Sequence, residues 1–201
     1  MNLLLISLFA VPFPLKKDQE KIVKVVKECI PSLKPLLSLP QNTTAREIQQ
    51  ANSIFSALLD GEINYDQFLT TLQKFSPAIH KALKPTTELV KKKMTALKDE
   101  NALMFMNEIV FLSIRTILKR RKDKVPKTDD EKKERRKWEE FKIGRMVFEL
   151  LELPLTSQKI VQYEFRDVFK VFEKLKVTLE SISEKYSKLC DFHPSDCLLH
   201  K

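Results

Sequence analysis

Residues 103–118 read LMFMNEIVFLSIRTIL, and only five of these sixteen positions are polar. Wound as an α-helix at about 100° per residue, the run places Glu108 and Arg115 within about 20° of each other. Apolar side chains take nearly every other direction. Asn107, Ser113 and Thr116 interrupt them, and the last two can turn back to hydrogen-bond their own helix. The run falls short of the roughly 20 residues a membrane span needs, and two charges inside a bilayer are costly. It therefore reads as a central helix covered on most sides, with one narrow wet stripe. Its surface has two readings: a plain core, or the wall of an internal apolar cavity. In the second, Arg115 stands near the mouth, where a guanidinium can hold a carboxylate through paired hydrogen bonds.

The surroundings agree with helices. Hydrophobic content of 43% and charged content of 31% are those of a globular protein, not a disordered one. The only glycines are Gly61 and Gly144, which disfavours an all-β fold and glycine-rich phosphate loops. Ile22, Val23, Val25, Val26 and Ile30 predict a first helix from Lys16, stopped by Pro31. Thr44 with Glu47 and Thr128 with Glu131 form capping boxes, Asn64 and Asp99 are further N-caps, and Gly61 offers a left-handed exit. Ser76 and Pro77 read as N-cap and first helical residue of a lysine-rich helix that Pro85 must kink or split. A last helix spans Thr156 to Leu189 with a heptad seam through Val161, Phe165, Val168, Phe172, Leu175, Leu179, Ile182 and Tyr186. The fold class is all-α: a single-domain multi-helix bundle, enclosing an internal apolar cavity on the second reading of 103–118.

Net charge is +9, and between Lys119 and Lys137 eleven Lys/Arg meet five Asp/Glu, so +6 sits in that segment. It reads as a solvated link, with nucleic-acid binding or attraction to anionic membranes as functional alternatives. Before Trp138 it has no aromatic platform on which bases could stack. Cys29, Cys190 and Cys197 are odd in number, so one disulfide and one thiol fit, and spacing does not fix the pairing. No zinc pattern, paired histidines or nucleophile elbow occurs, so neither metal, cofactor nor catalysis is expected. Residues 1–14 resemble a secretory signal, with a buried first element of an intracellular protein as the alternative. Asn42-Thr43-Thr44 is a glycosylation sequon, usable on a secreted chain.

Three pieces lie between about Ala51 and Ile109: Asp66-Gln67-Phe68-Leu69 with Leu72, the Ser76-Pro77 start of a basic helix ending KKKMTALKDE, and ALMFMNEI with Phe105-Met106-Asn107-Glu108-Ile109. Together they resemble the nematode fatty-acid- and retinol-binding proteins. The resemblance implies a secreted, non-catalytic, all-helical carrier of fatty acids and retinol, with residues 15–189 as the lipid-binding domain and 190–201 as an added tail. Helix phase alone selects the candidate ligand-binding residues: Leu103, Phe105, Met106, Ile109, Val110, Leu112, Arg115, Phe148, Phe165, Phe169 and Phe172. Fatty acids and retinol are the expected partners, with transient contact at anionic membranes and no nucleic acid. The competing class is a basic helical interaction protein that binds nucleic acid or a coiled-coil partner.

Overall fold

The computed structural model describes residues 16–37 and 43–200. The signal-like start and the sequon asparagine lie outside the described residues. Among the described residues every regular element is helical, and the fold is all-α. Helix α1 (Lys16–Cys29) leads through a 3-10 turn (Pro31–Leu33) into the short α2 (Lys34–Leu37). Then come α3 (Ala45–Asp60), α4 (Tyr65–Phe75) and α5 (Pro77–Ala96). Helix α6 (Glu100–Asp123) contains the opening run, followed by α7 (Asp129–Glu152). Helices α8 (Leu155–Glu164), α9 (Arg166–Lys174) and α10 (Leu179–Leu189) end the bundle, with 3-10 turns beyond them.

Local chemistry sets most of these boundaries. The Thr44 hydroxyl accepts from the Glu47 amide at 3.1 Å while the Glu47 carboxylate accepts from the Thr44 amide at 3.0 Å. Thr128 and Glu131 repeat this reciprocal pair at 3.2 and 3.0 Å, and Asn64 with Gln67 at 2.9 Å each way. Two otherwise orphaned amides are satisfied at each helix start. Gly61, at φ 81°, closes α3 in the left-handed region, its amide donating to Leu58 and that of Glu62 to Ala57. Replacing Thr128 with alanine removes the acceptor for the Glu131 amide and is expected to cost about 1 kcal/mol. Urea unfolding measures it; Thr128→Asp should stay close to wild type, and an alanine variant equally stable would show the cap to be idle.

Three sequence expectations are corrected. Ser76 and Pro77 take the N-cap and first helical positions of α5 as expected, but the Ser76 side chain does not cap the helix: it is buried and its hydroxyl donates to the Glu47 carbonyl at 2.7 Å. The Glu47 carboxylate takes over, accepting from the Ala78 amide at 3.3 Å. Amides of Thr44 and Ala78 hold this carboxyl below its ordinary range. One side chain thus caps α3 and ties α5 to it.

Pro85 does not split α5, which runs unbroken from Pro77 to Ala96. Lys81, whose carbonyl the proline leaves without its helical donor, and Pro85 itself both lie on the exposed side, where water can replace the lost bond. Thr86 next to it donates to the Ser32 carbonyl at 2.9 Å, pinning α5 to the 3-10 turn.

The helix expected over Thr156–Leu189 is three helices. Phe165, at φ −105° and ψ 25°, separates α8 from α9. Lys176 sits at φ 57°, its amide donating to Glu173 and that of Val177 to Phe172, which turns the chain before Thr178 caps α10. The seam residues therefore serve different cores. Val161 packs with Ala102 and Phe105, Val168 and Leu175 against the cluster of Ile22 and Val26 of α1, and Tyr186 with Phe141 of α7. Periodic burial persisted while the helix axis changed direction, so no continuous coiled-coil face is offered.

Residues beyond α10 are built into this last core. Cys190 and Cys197 form a disulfide with a Cα–Cα distance of 5.4 Å, and both are buried beside Phe141 and Tyr186. The Leu198 amide donates to the Tyr186 hydroxyl at 3.3 Å. Cys29 carries a free thiol.

Candidate functional site

Helix α6 is where the expected site residues concentrate, and its setting differs from the central, well-covered helix anticipated. Only 28% of its most apolar stretch is buried. Leu103 is 37% exposed, Met104 58%, Phe111 37% and Leu112 54%. By length and hydropathy alone this helix could cross a membrane. Helices α3, α7 and α8 meet one side of it and leave the other open.

Its hydrogen bonding explains part of the difference. From Phe105 to Phe111 the helix is π-type, with bonds from i to i+5. A wider turn advances each residue by less than 100°, so a wheel drawn for an α-helix loses phase through this segment. Phe105 and Met106 point inward, and four to five residues later Ile109 and Val110 return to the same side. The sequence carried no signal for that register change, because apolar residues flank it in both directions.

Six predicted ligand residues converge in one apolar cluster. Phe105 and Met106 are buried in it, and Ile109, Val110, Phe165 and Phe169 pack against it while keeping part of their surface accessible. Phe172 extends its edge, with its ring 6.3 Å from that of Phe169. The remaining four lie elsewhere. Leu103 and Leu112 are on the open side of α6, and Phe148 packs on Tyr186 at 5.4 Å in the disulfide core. Arg115 is engaged: its Nε donates to the Leu59 carbonyl at 3.2 Å, and its guanidinium lies against Gly61, closing the end of α3.

Met94 and Leu97 from the end of α5, Leu153 before α8, Ile160 of α8 and Leu179 of α10 complete the cluster. Each is an ordinary apolar helix position by sequence. What recruits them is the corner at Leu97–Asp99, where the Asp99 carboxylate accepts from the Ala102 amide at 2.8 Å and turns the chain into α6. Above the cluster lies an open cleft of about 470 Å³. Ala96, Lys98 and Asp99 form one wall, and Leu155, Lys159, Ile160 and Tyr163 of α8 form the other. Ile160 joins the cleft to the cluster below.

In the basic segment from Lys119 to Lys137, six of the eleven cations are ion-paired within the molecule. Lys119 and Lys122 both pair with Asp60, the first at 3.4 Å. Arg120 pairs with Glu134 at 3.7 Å, Lys132 with Asp129 at 2.8 Å, and Arg121 with the buried Glu139 at 2.5 Å. The hydrogen bond from Lys122, and its charge, hold the Asp60 carboxyl below its ordinary range and raise the Lys122 ammonium. Among the described residues, no group of three or more His, Cys, Asp or Glu is placed to hold a metal ion. Comparison with family models, curated proteins and solved structures gives no match, so the site is read from its own residues.

Proposed function

We propose that this protein is a secreted, non-catalytic carrier that takes up a fatty acid or a retinoid among α6, α8 and α9. The observation that carries the reading is the convergence of Phe105, Met106, Ile109, Val110, Phe165 and Phe169 on one cluster whose outer members remain partly accessible. The resemblance of residues 51–109 to nematode fatty-acid- and retinol-binding proteins points the same way. Each ligand methylene removed from water contributes about 0.8 kcal/mol, so a long acyl chain needs no chemistry to be held. The internal cavity of this reading opens as the chain enters beside Ile160 and spreads the half-buried side chains.

Titration with a fluorescent fatty acid tests it. A blue-shifted emission that unlabelled fatty acid displaces is expected, with little dependence on salt because the affinity is mainly apolar. Phe165→Ser should weaken the probe's binding more than Phe148→Ser, which alters a different core. Absence of a displaceable signal would sink the carrier reading.

A further inference from the structure

Part of the positive charge left free on this molecule lies outside the segment where the sequence concentrates it. In residues 119–137 six of the eleven cations, Lys119, Arg120, Arg121, Lys122, Lys132 and Arg135, pair with carboxylates, and five acids are interleaved with them. Helix α5 and the corner after it differ: from Lys81 to Lys98 there are six lysines and one acid, Glu88. Lys81, Lys84, Lys91, Lys92 and Lys98 are exposed, and among the described residues only Lys84 of these has an ion pair, with Glu88 at 3.8 Å. Lys93 alone turns inward, to Asp167 at 3.7 Å. Spacings of three, seven and eight put Lys81, Lys84, Lys91 and Lys92 on the outer face, opposite the buried Ile79 and Ala82. From Lys81 to Lys92 this ridge is about 16 Å long.

At its end lies the cleft, and across it the outer edge of α8. There Leu155, Lys159 and Tyr163 follow one another at intervals of four, with the leucine 72% and the tyrosine 68% exposed. The Arg166 guanidinium lies 5.7 Å from the Tyr163 ring. Of the nearby acids, Asp99 is occupied in capping α6, Glu164 is half-buried, and Glu100 is exposed.

We propose that this face, the α5 lysine ridge with Leu155 and Tyr163 at its end, docks on the surface of an anionic lipid bilayer. Lysines at a negatively charged membrane surface each contribute on the order of 1 kcal/mol, and their long stems cover apolar surface while the ammonium stays hydrated. A leucine and a tyrosine beside them suit the boundary between headgroups and acyl chains. A nucleic acid would match the charge but leave Leu155 without a role and find one exposed ring to stack on. Docked this way, the cleft above Ile160 faces the lipid. The proposal goes beyond the carrier reading and does not depend on it.

Co-sedimentation of the full chain with vesicles tests it, using phosphatidylcholine alone and mixed with phosphatidylserine. Binding is expected to the mixture only and to weaken as salt rises. Lys91→Glu with Lys92→Glu should reduce it about tenfold or more. Leu155→Ser with Tyr163→Ser should also weaken it, while Lys133→Glu, in the other basic segment, should not. All of these positions are exposed, and unchanged thermal melting confirms that the variants fold. No binding to the mixture, equal binding by the ridge variant, or preferential binding of an oligonucleotide in competition would each overturn the proposal. The ridge variant should still bind the fatty-acid probe, which separates the failure of docking from the failure of the carrier reading.

Discussion

Replacing Glu139 with alanine is expected to destabilise the protein by about 3–5 kcal/mol. The carboxylate is buried and accepts from both Nε and Nη2 of Arg121 at 2.5 Å, tying α7 to α6. Arg135 adds a third contact at 3.9 Å. Truncation leaves the Arg121 side chain, only 11% exposed, without its counter-charge in a place water hardly reaches. The cost comes from that stranded cation more than from the lost attraction. Removing both partners, as Arg121→Met with Glu139→Leu, should therefore recover most of the loss. Urea unfolding of the two single variants and the double variant measures the coupling. A loss below about 1 kcal/mol in Glu139→Ala would show that the arginine finds another partner.

Gly144→Val is expected to cost about 3 kcal/mol or more, at the upper end of overpacking effects. A Cβ at this position would stand 2.5 Å from the Tyr186 Cβ and 3.2 Å from its Cα. Those atoms are fixed to the α10 backbone, so rotating a side chain does not make room. Tyr186 is itself held between Phe141 at 5.1 Å and Phe148 at 5.4 Å. Alanine meets the same clash but gains about 1 kcal/mol of helix propensity over glycine, so Gly144→Ala should lose less. Thermal melting should place both variants below wild type, with valine the lower. Equal stability for the valine variant would mean that α7 and α10 do not approach so closely.

These two residues show what a linear reading misses. Glycine inside a helix looks like a local weakness, and only the facing α10 explains it. Glu139 looks like one more charge in a charged helix, and its burial depends on α6 delivering Arg121 to it. By contrast, Thr44, Asn64, Asp99, Thr128 and Gly61 act on amides and carbonyls within a few residues, so their roles could be read from spacing. Ser76 failed as a cap because Glu47, 29 positions away, took both its hydroxyl and its capping role.

The candidate site divides in the same way. Phe105, Met106, Ile109 and Val110 were legible as apolar helix positions, but so were Leu103 and Leu112, which lie on the open side. Phe165 and Phe169 were legible as apolar helix positions, though on a helix that does not continue. That they share a cluster with Met94, Leu97 and Ile160 follows from the corner at Asp99 and the break at Phe165.

The sequence by itself determined the helical class, most helix ends and the apolar excess of 103–118, because composition, capping and periodicity act over one or two turns. The tertiary structure decided how much of that excess stays open, which cations of 119–137 find carboxylates and where α5 leaves its lysines free. Those outcomes depend on contacts between residues tens of positions apart, and no local pattern encodes which side of a helix its neighbours will leave uncovered.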